Sequence, residues 1–265
     1  MTSSAFKPLS KAMLSRFAKL GQKKYRDQEG VFLAEGLRTV RELLDSLPEP
    51  GMLEALIVEE GASPGRMRID AYRGKLFLAD RDAAARLAQT TSPQGVFGVF
   101  RKQAGKGFDP VGARSLVVAL DDVQDPGNVG TIIRTAAWFG AEAVVCSDGT
   151  ADPYNAKAVR SSAGSIFAVR HYAVKDLAAE LRRLQREGFS VSAASLDGSD
   201  YRSFDDWPER RVLVIGNEAN GIGKPVLELA DRLVRIPHAG GGKPNVESLN
   251  ASVSAAILLA GLSFV

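Results

Sequence analysis

Cysteine and histidine are scarce in this sequence of 265 residues, which contains one cysteine, Cys146, and two histidines, His171 and His238. A single cysteine cannot form an internal disulfide, so the reducing cytoplasm is the expected setting. A Cys/His zinc site is not expected either, and no other metal site is predicted. The sequence also has no run of about 18 apolar residues, so no membrane-spanning helix is expected. Its first residues lack the apolar region of a signal peptide.

Two common nucleotide-binding signatures are missing as well. The sequence has neither a GxxxxGK[ST] phosphate loop nor a GxGxxG fingerprint between a strand and a helix. The glycines of GNEANGIG, residues 216–223, have the wrong spacing for that fingerprint. These absences disfavour a dinucleotide-dependent enzyme. Such an enzyme stays an alternative, because the sequence predicts the kind of sheet on which dinucleotides bind.

Charge is distributed unevenly along the chain, although the formal net charge is only +3. Residues 1–107 contain 18 Lys and Arg against 12 Asp and Glu, a net of +6, whereas residues 108–265 contain 16 against 19, a net of −3. A basic module on a near-neutral body is typical of proteins that bind a polyanion, although a solvated helix face has the same composition. The basic side chains that we expect to contact the polyanion are Lys19, Lys23, Lys24 and Arg26.

Hydrophobic spacing indicates two domains, which we place at residues 1–105 and 106–265. The segment 101–113 mixes Gly, Pro and charged residues and is the predicted linker. The first domain is predicted to be a small α/β domain, from helical spacing at residues 14, 17 and 20, helices at 37–47 and 83–89, and strands at 55–58, 76–78 and 96–100.

The second domain alternates short apolar runs with helical segments. Such alternation predicts a buried, mostly parallel sheet with helices on both faces. The predicted strands are LVVALDDV, AVVCS, SVSAAS, VLVIGNE and LVRIP, and the predicted helices lie at about 131–139, 154–162, 175–187 and 248–262. The fold class is therefore α/β, with a small α/β domain followed by a parallel-sheet α/β domain.

Polar, glycine-containing loops follow three of the predicted strands of the second domain. One loop begins after Leu120, another after Ile215 and a third after Ile236. Because the carboxyl ends of parallel strands meet at one edge of the sheet, we expect these loops to form a binding crevice there.

The turn DPGNVGTIIRTA, residues 125–136, has the most unusual composition of the three loops. As a purely structural element it predicts a Pro-Gly turn, a helix capped by Asn128, and a core position for Trp138. Arg134, however, lies among isoleucine and alanine residues. A guanidinium in so apolar a helix is expected to have an anionic partner.

The turn also resembles the first motif of the SpoU/TrmH family of RNA 2′-O-methyltransferases, through Asn128-Val129-Gly130 and Arg134-Thr135-Ala136. The second motif resembles VIGNEANGI, residues 214–222, and the third resembles IPHAG, 236–240, with SLNASVSAAI, 248–257. Three motifs in the family's order are far less expected by chance than one. The segments at 32–44 and 91–100 are similar to the substrate-binding domain that precedes the catalytic domain in many members.

The resemblance implies a trefoil knot in the second domain, a fold that sequence statistics alone do not predict. It also implies S-adenosyl-L-methionine as cofactor, bound mainly through backbone groups. The residues that match the family's cofactor contacts are Ala194, Gly216, Asn217, Ile236 and Leu249. The loop between Gly240 and Ser248 is longer than the family's usual spacer, and its Lys243 lies near the predicted site.

The same resemblance assigns the methyl-transfer machinery to Arg134, Asn128, Glu218, Ser248 and Asn250. The reaction moves a methyl group from a sulfonium to a ribose 2′-hydroxyl, whose proton must leave during attack. Because a guanidinium keeps its proton in proteins, we interpret Arg134 as a phosphate-binding and alkoxide-stabilising group rather than a base. The amide of Asn128 would orient either Arg134 or the ribose, while the remaining three residues would shape the pocket and position the 2′-hydroxyl.

The expected substrate is a structured RNA, and the separate basic domain favours ribosomal RNA over transfer RNA. Transfer RNA stays an alternative substrate, and a non-catalytic RNA-binding relative stays an alternative function. The resemblance also implies a homodimer. The apolar C-terminal segment 255–262 suits either that interface or ordinary core packing.

Overall fold

The structure is a computed structural model, and it describes residues 6–63, 67, 69–103, 105, 107–238 and 248–263. Most of the expected long loop, including Lys243, therefore lies outside the described residues. Across the part of the chain that is described, no helix has the length and hydrophobicity needed to cross a membrane.

The described part of the chain contains strands interspersed with helices. The strands are β1 (Lys7–Pro8), β2 (Val31–Glu35), β3 (Leu53–Glu59), β4 (Leu76–Ala79), β5 (Val96–Arg101), β6 (Ser115–Asp121), β7 (Ala143–Ser147), β8 (Arg170–Val174), β9 (Ser190–Asp200), β10 (Arg210–Gly216) and β11 (Arg232–Arg235). The α-helices are α1 (Lys11–Phe17), α2 (Lys23–Glu29), α3 (Leu37–Asp45), α4 (Arg81–Leu87), α5 (Pro126–Trp138), α6 (Ala156–Ser162), α7 (Leu177–Arg186), α8 (Lys224–Leu227) and α9 (Ala251–Leu262).

The chain separates into two compact units. Unit 1 comprises Met1–Ala104 and Tyr154–Phe167, and unit 2 comprises Gly105–Pro153 and Ala168–Val265. The sequence-based boundary between residues 105 and 106 lies next to the first of these divisions. Residues 154–167 do not follow the predicted division. The prediction places them in the second domain, whereas their contacts group them with unit 1.

Unit 1 is a small α/β unit, as predicted. Its sheet has the order β1-β4-β3-β5-β2, with β5 antiparallel to β2 and β3, and β4 parallel to β3 and β1. Apolar side chains of β2, β3 and β5 pack against α1 and α4 in a single hydrophobic cluster. The strand pattern had not predicted β2, although all five of its residues are buried.

Residues 154–167 are held in unit 1 by an aromatic cluster. The Phe32 ring lies 4.9 Å from the Tyr154 ring and 6.0 Å from the Phe167 ring, and Phe100 lies 6.2 Å from Phe167, all between ring centroids. The Gln103 backbone N–H donates to the Tyr154 hydroxyl over 2.9 Å, and the Gln103 side-chain amide donates to the Phe167 carbonyl over 3.1 Å. These contacts tie the segment to β2 and β5 at both of its ends.

Unit 2 contains the parallel sheet that the sequence predicts. Its order is β11-β9-β10-β6-β7-β8, and every neighbouring pair is parallel. Successive residues of β6, such as Val117 and Val118, point to opposite faces of the sheet, and both are inaccessible to solvent. Both faces are therefore covered, as expected for a parallel sheet with helices on each side. Strand β8, which includes His171, was missed by the sequence analysis.

Cys146 lies in β7 of this sheet and is only 1% exposed. Burial raises the pKa of its thiol to about 12, and the charge of Asp152 adds to the effect. The thiol therefore stays protonated at neutral pH and serves as a small apolar core residue.

Candidate active site

The carboxyl ends of the central strands of unit 2 are joined by Asn217. Strands β6 and β10 are parallel and in register, with Gly216 opposite Asp121. The Asn217 side-chain amide donates to the Asp122 carbonyl over 2.8 Å, and its oxygen accepts from the amides of Ala219 and Asn220, each over 2.9 Å. One predicted cofactor residue thus fixes the loop after β10 to the loop after β6.

Gly216 lies where two backbone segments approach too closely for any side chain. Asn217 and Gly221 exchange backbone hydrogen bonds of 2.9 and 3.0 Å, which folds the loop back onto the end of β10. A Cβ atom at residue 216 would lie 2.5 Å from the Ile222 nitrogen. Gly221 has φ +70°, a left-handed conformation that favours glycine. The spacing Gly216–Gly221 is therefore required by a backbone turn.

Two acidic residues at the end of β6 fix the neighbouring loops. Asp121 accepts a hydrogen bond of 2.7 Å from the Gly223 amide, and Ser147 donates to the Asp122 carboxylate over 2.7 Å. Burial raises the pKa of Asp121, and the charge of Asp122 adds to this, while the Gly223 N–H opposes it. Asp121 was not predicted from the sequence to be a site residue. The Asp-Asp pair at a strand end is the signal that could have found it.

Helix α5 begins at Pro126, about five residues before the predicted start. The residue that caps it is Asp125, whose carboxylate accepts from the amides of Gly127 and Asn128 over 2.5 and 3.2 Å. Proline is favourable at the first helical position because its missing N–H would have no acceptor there. The prediction that Asn128 is the cap is therefore wrong, and the Asn128 side chain is available for other contacts.

The freed side chain of Asn128 links all three motif loops. Its amide nitrogen donates to Glu218 Oε1 over 2.8 Å, and its oxygen accepts from the Asn250 amide over 3.1 Å. Glu218 also accepts from the Gln124 backbone N–H over 3.4 Å. Residues 128, 218 and 250 are far apart in sequence, yet they form one continuous chain of hydrogen bonds. We call this chain the Glu218–Asn128–Asn250 network.

Asn250 has a second function as the N-cap of α9. Its side-chain oxygen accepts from the amides of Ser252 and Val253 over 2.9 and 3.4 Å, which orients the amide nitrogen toward Asn128. Ser248 and Leu249 precede this cap and are exposed. The structure describes no contact between Ser248 and the network, so its predicted role stays a prediction.

The sequence predicts that Arg134 is a cation held among apolar residues, and the structure does not place it there. Helix α5 buries Val129, Ile132 and Ile133, whereas Arg134 is exposed on another face. It makes no hydrogen bond or ion pair with the described residues, so the expected anionic partner is absent from that part of the chain. Its guanidinium is therefore open to an anion from outside. Trp138, one turn further on, is 84% exposed, so its predicted core position is wrong.

Of the remaining predicted cofactor residues, Ala194 lies within β9 and Ile236 follows the neighbouring strand β11. Ala194 follows the last regular pairing of β9 with β11, where Ala193 pairs with Leu233 before the register shifts. Ile236 comes directly after β11 and is half-buried. Together with Leu249, these side chains offer apolar surface, while the Gly216 turn offers backbone groups. This donor set fits a ligand with a flat aromatic ring and no phosphate, as S-adenosylmethionine is.

Three of the four basic residues predicted to bind the polyanion are exposed in unit 1, namely Lys19, Lys23 and Lys24. Lys23 is paired with Asp27 over 2.8 Å. Arg26 is only 3% exposed, and its guanidinium donates to the carbonyls of Leu20 and Gly21 over 2.8 and 2.9 Å. The prediction for Arg26 is therefore wrong, because this charge stabilises the preceding turn.

Two family models match the chain. The model of the SpoU rRNA Methylase family matches residues 115–260, and the model of the MRM3-like substrate binding domain matches residues 13–98. The first match covers the Glu218–Asn128–Asn250 network and all three motif loops. The second covers most of the residues of unit 1.

Proteins of similar sequence and solved structures of similar fold agree with these family matches. The 23S rRNA (guanosine(2553)-2′-O)-methyltransferase RlmP of Bacillus subtilis is 35% identical over 91% of this chain and 92% of its own length. An AdoMet-bound rRNA methyltransferase from Sinorhizobium meliloti is 31% identical, with a TM-score of 0.77 over 97% of both chains. The AdoMet complex of the SpoU methyltransferase AviRb from Streptomyces viridochromogenes is 25% identical, with a TM-score of 0.81 over 96% of this chain and 97% of its own. This chain therefore belongs to the SpoU rRNA methylase family.

Proposed function

We propose that this protein transfers a methyl group from S-adenosyl-L-methionine to a ribose 2′-hydroxyl of ribosomal RNA. The observation that carries the proposal is the Glu218–Asn128–Asn250 network, which joins the three motif loops of a SpoU family member through side-chain hydrogen bonds of 2.8 and 3.1 Å. Such a network gives the polar groups one fixed arrangement, which is what positioning a hydroxyl for attack requires.

The cofactor would be held by Ala194, Gly216, Asn217, Ile236 and Leu249. When bound, S-adenosylmethionine supplies an electrophilic methyl group on a sulfonium. Gly216 leaves backbone groups accessible at the strand end, and the apolar side chains of Ile236 and Leu249 exclude water from a bound ring. The two AdoMet-bound relatives described above support this choice of cofactor.

The network residues would act on the ribose. The Glu218 carboxylate and the Asn128 and Asn250 amides provide acceptors and donors around the 2′-hydroxyl, so an acceptor for its proton lies among them. The exposed guanidinium of Arg134 would bind a neighbouring phosphate and stabilise the negative charge that develops on the attacking oxygen.

Ribosomal RNA is favoured over transfer RNA for two reasons. Unit 1 carries a match to a substrate-binding domain and exposed cations at Lys19 and Lys24. In addition, the RlmP relative, which matches over nearly its whole length, is named for 23S rRNA. We also propose that the protein acts in the cytoplasm and that unit 2 contains the trefoil knot implied by the resemblance.

Methyl transfer is tested with purified protein, S-adenosylmethionine labelled in its methyl group, and protein-free ribosomal RNA from cells that lack this gene. We expect label to enter the RNA at a ribose whose 3′ phosphodiester bond resists alkaline hydrolysis. Label on transfer RNA alone would favour the alternative substrate. Cofactor binding by calorimetry without transfer to either RNA would contradict the proposed reaction.

Asn128→Asp is expected to lower the rate of methyl transfer by about 10- to 100-fold, because aspartate cannot donate to Glu218 and places two carboxylates side by side. The melting temperature should change little, since the network residues lie near the surface. Single-turnover rates at saturating RNA and cofactor measure the effect. Asn220→Asp is the matched control, because it adds the same charge to an exposed residue of the loop that carries Glu218. Equal rates in the two variants would contradict the assigned role of Asn128.

We propose a homodimer that buries one face of α5 and α9. Trp138 is 84% exposed and Val253 is 46% exposed, which is unusual for side chains of these types. Helix α9 has no charged residue between Ala251 and Leu262, and a helix that is apolar on all sides is normally covered.

Light scattering at micromolar concentration is expected to give twice the mass of one chain for the natural protein and a shift toward the monomer for Trp138→Glu. The introduced carboxylate would have to be buried without a partner in the dimer. Val111→Glu is the control, because Val111 is also largely exposed, at 81%, and lies outside both helices. A monomeric natural protein, or a dimer unaffected by Trp138→Glu, would contradict this interface.

A further inference from the structure

A cleft of about 290 Å³ opens in unit 1, and none of the residues assigned to methyl transfer lines it. Its walls come from the start of α3, from the segment after α4 and from α6. The polar side chains used below are Arg38, Arg160, Thr90, Thr91, Ser92 and Glu35. With Thr39, the cleft therefore combines two guanidinium groups with four hydroxyl groups and a carboxylate.

The carboxylate of Glu35 is already occupied by the protein. Glu35 is buried, and its two oxygens accept hydrogen bonds from the Thr90 hydroxyl and, over 2.6 Å, from the Gln89 amide. These bonds fix the segment that carries Thr91 and Ser92. The buried carboxylate thus holds in place the wall that carries Thr91 and Ser92.

Both guanidinium groups of the cleft have N–H donors that make no hydrogen bond within the described residues. Arg38 uses its Nε to bond Glu42 over 2.8 Å, and no bond of its terminal nitrogens to the described residues is found. Arg160 is exposed, and its side chain makes no hydrogen bond or ion pair within the described part of the chain. The exposed Thr91 and Ser92 contribute hydroxyl donors beside them. Planar guanidinium forks with neighbouring hydroxyls are the groups that bind phosphate oxygens.

We propose that this cleft binds a backbone phosphodiester of the RNA substrate. This inference rests on the proposed function, because it takes RNA to be the substrate. The two cations come from parts of the sequence matched by different family models, since Arg38 lies within residues 13–98 and Arg160 within residues 115–260. The site is complete only because residues 154–167 belong to unit 1.

The test uses the full-length protein and protein-free 23S rRNA made by transcription, with affinity measured by filter binding over a range of salt concentrations. Arg160→Gln and Arg38→Gln are each expected to weaken binding about fivefold at low salt. Each should also reduce the slope of log affinity against log salt concentration by about one, because one phosphate contact is lost. Arg81→Gln removes the same charge from an exposed residue of α4 outside the cleft and should change neither quantity.

Two results would contradict the proposal that the cleft binds an RNA phosphodiester. One is unchanged affinity and slope in the Arg38→Gln/Arg160→Gln double variant. The other is a rise in melting temperature with inorganic phosphate that the double variant loses while its RNA affinity stays normal, which would mark a free-phosphate site.

Methyl transfer by the natural protein separates this proposal from the proposed function. If the natural protein methylates RNA and the double variant binds RNA normally, the cleft assignment fails and the function stands. If RNA binding depends on Arg160 but the natural protein transfers no methyl group, the function fails and the cleft stands.

Discussion

Arg134→Ala is expected to lower the turnover number for methyl transfer by about 100- to 1000-fold, the usual cost of removing a group that stabilises developing charge. S-adenosylmethionine affinity should be nearly unchanged, because no cofactor residue lies on the exposed face of α5 that carries Arg134. The melting temperature should also be nearly unchanged. Arg134 is exposed and unpaired within the described residues, and such substitutions usually alter the free energy of unfolding by less than about 0.5 kcal/mol.

Three measurements separate a chemical role of Arg134 from a structural one. Single-turnover rates report the chemical step, calorimetry reports cofactor binding, and thermal unfolding reports stability. Arg134→Lys keeps the charge but loses the planar fork, so its rate should lie between those of the natural protein and the alanine variant. Arg182→Ala removes an exposed arginine from α7 and is the matched control. A natural rate in Arg134→Ala would refute the assignment.

Unit 1 is expected to be unstable when it is made without residues 154–167. A fragment that ends at residue 105 leaves the Phe32 and Phe100 rings without the Tyr154 and Phe167 rings that cover them. Losing one buried aromatic residue typically costs about 3–5 kcal/mol. That is a large share of the roughly 5–15 kcal/mol by which whole domains are stable. We therefore expect urea to unfold this fragment at low concentration, or the fragment to lack a cooperative transition.

Joining residues 154–167 to the fragment through a linker should restore a cooperative transition. Because Gln103 bonds both Tyr154 and Phe167, about six Gly and Ser residues are enough to span the gap. The matched control carries the same linker and segment with Tyr154 and Phe167 replaced by serine. Equal urea midpoints for the bare fragment and the fusion would show that the segment is not part of the unit.

Much of the parallel sheet could be predicted because its strands are short, continuous apolar runs. β6, β7 and β10 are buried on both faces, and such runs need no long-range information to be recognised. The position of the site followed from the same pattern, since loops after parallel strands meet at one edge. The same pattern places Gly216 and Asn217 at that edge, whereas their role as cofactor contacts is implied by the family resemblance.

Other features depend on partners that are distant in sequence. β8 begins with the exposed Arg170, so its composition alone does not indicate a strand, and only its pairing with β7 makes it one. The burial of Arg26 depends on the carbonyl groups of a turn whose geometry no spacing rule gives. The exposure of Arg134 depends on which face of α5 is packed against the rest of unit 2, and that face carries Ile132, Ile133 and Ala136.

The return of the chain to unit 1 at Tyr154 also sets an order for folding during synthesis. Domains usually fold as units while the ribosome adds about 5–20 residues per second. Here the aromatic core around Phe32 cannot close until residue 167 has left the exit tunnel, after β6, α5 and β7 have already been made. For several seconds the nascent chain therefore exposes two phenylalanine rings, which makes this interval the one in which a chaperone would have the most to bind.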